Sequence, residues 1–154
     1  MSKIEERLVE LGIELPGGTK AMGTYVPVRQ TGNLLYLSGN GPMRDGKILI
    51  EGRLGENLTI EEGYEAARLT MINILGVLKN ELGDLDRIEK FVKILGLVAS
   101  TNDFYDQPKV INGASDLLVE VFGDKGKHAR SAMGTNVLPF KLPVEIEVIV
   151  EVKD

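Results

Sequence analysis

The stretch His128-Ala-Arg-Ser-Ala-Met-Gly-Thr-Asn-Val-Leu-Pro139, followed by Val144-Glu-Ile-Glu-Val-Ile-Val150, decides how this chain is read. Arg130 to Leu138 and Val144 to Val152 read as two strands around a short, proline-bounded turn. In the second strand Val144, Ile146, Val148, Val150 and Val152 share one face. Glu145, Glu147, Ile149 and Glu151 share the other, because strand side chains alternate. A planar guanidinium at the start of one strand suits a carboxylate. An acid on its neighbour suits proton handling on whatever that carboxylate carries. The outline is that of a site for a small organic acid.

Working back from this pair, Pro108 suits the first turn of a helix whose apolar stripe is Val110, Ala114, Leu117, Val121 and Phe122, ended by Gly123. Ile88 to Ser100 is rich in branched residues and reads as a long buried strand. Thr59 followed by Glu62 has the form of a capping box, and Tyr64, Ala67, Met71, Leu75, Leu78 and Leu82 recur at helical spacing up to Gly83. Tyr25 to Arg29 and Leu34 to Ser38 read as two strands, with Ile48 to Ile50 as a third. The core order β-β-β-α-β-α-β-β calls for an α+β fold, two layers deep, with two helices covering a mixed sheet. Residues 1–154 are expected to form one domain. Residues 1–20 are its N-terminal helical extension, with a helix over Ser2 to Leu11 and a linker at Leu15 to Thr19, and 21–154 are the core.

Composition narrows the chemistry. The 154 residues carry 18 basic and 23 acidic side chains, a net charge of -5, which argues against a nucleic-acid partner. With no cysteine, thiol catalysis and thiolate metal sites are excluded. The single histidine, His128, follows Gly123-Asp-Lys-Gly-Lys, a solvated loop by composition, and is assigned no chemistry. No apolar run reaches membrane-spanning length and the N-terminus lacks a signal-peptide core, so a cytoplasmic location without membrane contact is expected.

The arginine and small residue at Arg130-Ser131, the spaced Leu138 and the step Val144-Glu145-Ile146 resemble the signature of the reactive intermediate deaminase family, also called YjgF or endoribonuclease L-PSP. The resemblance runs from about Ala21 to Val152, with an N-terminal extension and a longer 102–112 segment that look like the family's longer branch. It implies a chorismate-mutase-like fold, a homotrimer with clefts between subunits and no cofactor. It also implies hydrolysis of imine or enamine forms of small 2-amino acids to 2-keto acids and ammonia. On this resemblance Arg130 holds the substrate carboxylate, with the backbone of Ala132 beside it. Gly39, in the Ser38-Gly39 step, offers a backbone amide, and Glu145 handles the attacking water. Tyr25 and Asn112 line the same cleft, Tyr25 from a neighbouring subunit. No metal is implied.

Two other readings stand beside the deaminase. One is a non-catalytic protein that binds or senses a small carboxylate metabolite. The other follows the RNA cleavage and translation inhibition also ascribed to the family, against which the charge, the 5% aromatic content and the single histidine all weigh.

Overall fold

The computed structural model describes residues 2–17, 21 and 23–154. Its main sheet has five strands: β1 (Val28–Thr31), β2 (Leu34–Leu37), β5 (Ile88–Ala99), β6 (Ala129–Thr135) and β7 (Val144–Val152), in the spatial order β1-β2-β7-β5-β6. The β5–β6 pair is parallel and the rest antiparallel, so the sheet is mixed. Two helices, α2 (Ile60–Leu82) and α3 (Gln107–Phe122), lie side by side on one face and bury Ile94, Val98, Ile146, Val148 and Val150 beneath them.

Each helix begins where side-chain chemistry ends the preceding loop. The hydroxyl of Thr59 accepts from the Glu62 N–H while the Glu62 carboxylate accepts from the Thr59 N–H, a complete capping box. Gly83 closes α2 at φ 76°, a conformation that favours glycine. The two helices pack tightly at Gly113: a methyl there would fall on the Tyr64 carbonyl.

Two sequence expectations shift. The third strand is a two-residue piece, β4 (Lys47–Ile48), paired with β3 (Met43–Arg44) in a separate hairpin. Asp45 and Gly46 both take positive φ at its tip, 52° and 76°, as a type I′ turn requires, so Asp-Gly was the signal for it. The N-terminal helix α1 (Lys3–Glu10) is docked rather than appended. Asp86 accepts the N–H groups of Lys3 at 3.0 Å and Ile4 at 2.9 Å, and Leu8 and Ile13 are buried in the main core. Of the expected linker, Gly18 and Thr19 lie outside the described residues.

The second face of the sheet carries no helix. Tyr36, Lys93, Leu95, Glu147 and Ile149 line a shallow depression there, and Tyr36 is 44% exposed. Arg130 and Glu145 are separated by this division of faces.

Candidate functional site

Arg130 lies on β6, an edge strand, in register with the buried Ile94 of β5, so its side chain turns toward the helices. There Nη1 donates to Asn112 Oδ1 at 2.8 Å and to Ser115 Oγ at 3.1 Å, both on α3. Asn112 and Ser115 are one helical turn apart and face the same way. Both hydrogens of Nη1 are thereby used on neutral acceptors. Among the described residues no carboxylate pairs with Arg130, so Nε and Nη2 keep their donors for a ligand.

The backbone beside it is also available. Thr135 gives its carbonyl to Ser100 N–H across the β5–β6 pair at 3.0 Å. By strand alternation Arg130, Ala132 and Gly134 direct their N–H and C=O groups away from β5, to the open edge. Arg130, Asn112 and the Ala132 backbone thus converge on one edge of the sheet.

His128 lies in the loop before β6, as read, but it is not solvated there. It is half-buried, with Nδ1 2.7 Å from the Gly126 carbonyl and Nε2 2.9 Å from Ser115 Oγ. Burial lowers its pKa, the positive Arg130 lowers it further, and the hydrogen bond to Gly126 opposes both. Ser115 was not singled out in the sequence, although its spacing from Asn112 could have revealed it. The loop around His128 misled because Gly126 is packed against the Leu118 carbonyl of α3, which composition does not reveal.

Glu145 occupies a different place. It pairs in register with Leu97 on the helix-free face and is half-buried. A methyl on Gly39 would stand 3.0 Å from its carboxyl group. Desolvation raises the Glu145 pKa, and the negative Glu147 on the same strand face adds to the rise. The Ser38-Gly39 step is held from both sides: Ser38 N–H donates to the Pro27 carbonyl at 2.9 Å, Ser38 Oγ donates to Val26 O at 2.7 Å, and Asn40 exchanges two 2.9 Å bonds with Ile146. Between them the Gly39 N–H is unclaimed among the described residues.

Tyr25, Gly39, Asn40, Arg44, Asn73 and Glu145 line a cleft of about 520 Å³, within the range of small-molecule sites. Arg44 and Asn73 were not anticipated. The Asn73 amide braces the wall by donating to the carbonyls of Gly41 and Met43 at 3.0 and 2.6 Å. No group of three His, Asp or Glu residues poised for a metal occurs among the described residues.

The expected site residues therefore fall into two groups within one chain: Arg130, Asn112 and Ala132 on the outer edge, and Tyr25, Ser38, Gly39 and Glu145 around the cleft. Tyr25 lines the cleft of its own chain together with Gly39 and Glu145.

This fold, with its open edge and glycine-lined cleft, matches a known family over most of its length. The model described as "YjgF/chorismate mutase-like, putative endoribonuclease" covers residues 5–151. The chain belongs to the YjgF family. Among relatives of this YjgF member, protein TCP17 of Trypanosoma cruzi is 39% identical over 153 residues, spanning 99% of this chain and 96% of that one. The crystal structure of Atu1372 from Agrobacterium tumefaciens, a protein of unknown function, is 46% identical, with TM-score 0.91 over 97% of this chain and 92% of that one. The fold is shared more distantly with Escherichia coli TdcF, solved with bound serine, at 22% identity and TM-score 0.62 over 91% of this chain and 94% of that one. No described helix is long and apolar enough to cross a membrane.

Proposed function

We propose that the protein hydrolyses imines of small 2-amino acids to 2-keto acids and ammonia, at sites shared between copies of the chain in a homotrimer. The observation that carries this reading is the Arg130 guanidinium, held at Nη1 by two neutral acceptors with Nε and Nη2 unpaired. Such a fork takes a carboxylate in a bidentate grip, and the outward Ala132 backbone stands beside it.

The chemistry asks for little more. The imine carbon is electrophilic, and fixing the carboxylate fixes that carbon. Glu145, with its proton affinity raised by desolvation, takes a proton from the attacking water. The hydroxyl joins the carbon, and the C=N electrons move to nitrogen, which becomes an amine. Glu145 then returns its proton to that nitrogen. Ammonia leaves as the carbon–oxygen double bond forms and the hydroxyl proton passes, by way of Glu145 or a water, to the departing nitrogen. Carbon keeps its oxidation state, so no redox cofactor is called for.

One chain does not place Arg130 and Glu145 against the same ligand. The two meet when the β6 edge of one copy faces the Glu145 cleft of another. The helix-free sheet face, where Tyr36, Leu95 and Ile149 stand among Lys93 and Glu147, supplies a mixed apolar and charged surface for that association. TdcF with bound serine supports a small amino-acid-like ligand for the family.

Carboxylate binding without turnover draws on the same arginine and is the second reading. RNA cleavage gains nothing, because the single histidine has both ring nitrogens engaged within the protein. The test is ammonia release from freshly generated 2-iminopropanoate. Acceleration by the wild type and its loss in Arg130→Ala support the deaminase. A folded wild type that binds pyruvate but does not accelerate release leaves only the binding protein.

A further inference from the structure

We propose that His128 and Ser115 are positioning residues for Arg130, forming a relay of fixed polarity that presents the Nε–Nη2 edge of the guanidinium to the ligand carboxylate. This deepens the reading of Arg130 as the carboxylate holder and rests on it.

The polarity follows from the partners. The Gly126 carbonyl, 2.7 Å from Nδ1, can only accept, so Nδ1 carries the imidazole proton. In the neutral ring Nε2 is then bare and accepts the Ser115 hydroxyl hydrogen across 2.9 Å. That turns a lone pair of Ser115 Oγ toward Arg130 Nη1 at 3.1 Å. Asn112 Oδ1 takes the other Nη1 hydrogen at 2.8 Å. A doubly protonated ring would donate to Ser115 Oγ instead of accepting from it, reversing that link, so the polarity described here belongs to neutral His128.

The arrangement also explains why these acceptors are neutral. A carboxylate in place of Asn112 or Ser115 would neutralise Arg130 and compete with the substrate. Hydroxyl and amide oxygens fix the plane of the guanidinium while leaving its charge for the ligand. Each link stands on a different element: the Gly126 turn, the strand entry at His128, helix α3 and strand β6. Arg130 is therefore held by tertiary structure rather than by its own rotamer preference.

The test compares wild type with His128→Gln, His128→Asn, His128→Ala, Ser115→Ala and Arg130→Ala. Glutamine carries an acceptor to about the place of Nε2, whereas asparagine reaches only the place of Nδ1. Two quantities are read: the Arg130 Nε–H resonance by ¹⁵N-edited NMR without ligand, and the Kd for pyruvate by calorimetry. We expect a sharp resonance and near wild-type affinity in His128→Gln. In His128→Asn, His128→Ala and Ser115→Ala the resonance broadens and Kd rises about tenfold, the loss of one hydrogen bond to a charged group.

An unchanged resonance and Kd in His128→Ala would overturn the relay. If Arg130→Ala loses pyruvate in that same series, the carboxylate role of Arg130 stands without it. Equal pyruvate affinity in wild type and Arg130→Ala would sink the carboxylate role, and the resonance alone then decides the relay. Covalent trapping of Ser115 by a fluorophosphonate would also overturn it, by making the pair a nucleophile and its base.

Discussion

Arg130 and Glu145 project from opposite faces of one sheet. Arg130 reaches Asn112 and Ser115 on the helix-covered side, while Glu145 stands beside Gly39 on the side without helices. Neither strand can be twisted enough to bring them together, because β5 runs between β6 and β7 and fixes the register of both. The guanidinium and the carboxyl group are thus presented to different surroundings.

Arg130→Lys keeps the charge and loses the fork. A lysine ammonium has no fixed plane with which to satisfy Asn112, Ser115 and a carboxylate together. Pyruvate affinity should fall roughly tenfold to a hundredfold, the cost of a lost charge-assisted hydrogen bond. Calorimetry on the purified variant measures it, and wild-type affinity would show that charge alone suffices.

Glu145 and His128 should pull stability in opposite directions with pH. The Glu145 pKa is raised above its ordinary 4.5 in the fold, so its favourable contribution is fully present below 4.5 and is lost as pH rises through the folded value. Glu145→Gln should therefore melt higher than wild type at neutral pH, with the difference shrinking toward pH 4.5. Thermal melts across that range provide the check.

The His128 pKa is lowered beneath its ordinary 6.5, so its contribution is complete above 6.5 and is lost as pH falls through the folded value. Wild-type Tm should drop between about pH 7 and about pH 5, and that part of the drop should be missing in His128→Gln. Because the chain has one histidine, its ring resonances report the folded pKa directly.

Gly113→Ala tests the contact between the two helices. The added methyl would meet the Tyr64 carbonyl and the backbone nitrogen of Arg68, forcing α2 and α3 apart. A loss of about 3 kcal/mol is expected from such overpacking. Urea unfolding would reveal it, and displacement of α3 should also weaken pyruvate binding, because Asn112 and Ser115 flank Gly113 on that helix.

Much of this architecture was legible beforehand, and the parts that were not have identifiable causes. Thr59 with Glu62, Gly83, and the valine–glutamate alternation of β7 are local signals, and each marks the feature it was read for. The short β3–β4 hairpin was obscured because two-residue strands leave no period to detect, although Asp45-Gly46 announced its turn. The bond between Arg130 and Asn112 joins a strand to a helix across packing that no spacing encodes. His128 was misread because glycine and lysine neighbours describe a solvated loop, whereas Gly126 is buried against α3. The split between Arg130 and Glu145 depends on sheet order, which sequence order conceals.

The most direct measurement uses two dead variants to make one live site. Arg130→Ala and Glu145→Gln are each assayed alone for ammonia release from 2-iminopropanoate, and then after co-expression as mixed oligomers. If sites are shared, each variant alone is inactive. In mixtures, the intact Arg130 of one copy meets the intact Glu145 of another, and a fraction of wild-type activity returns. Mixed oligomers that stay as inactive as their parents, while wild type turns over, would contradict a site built from both residues across two copies.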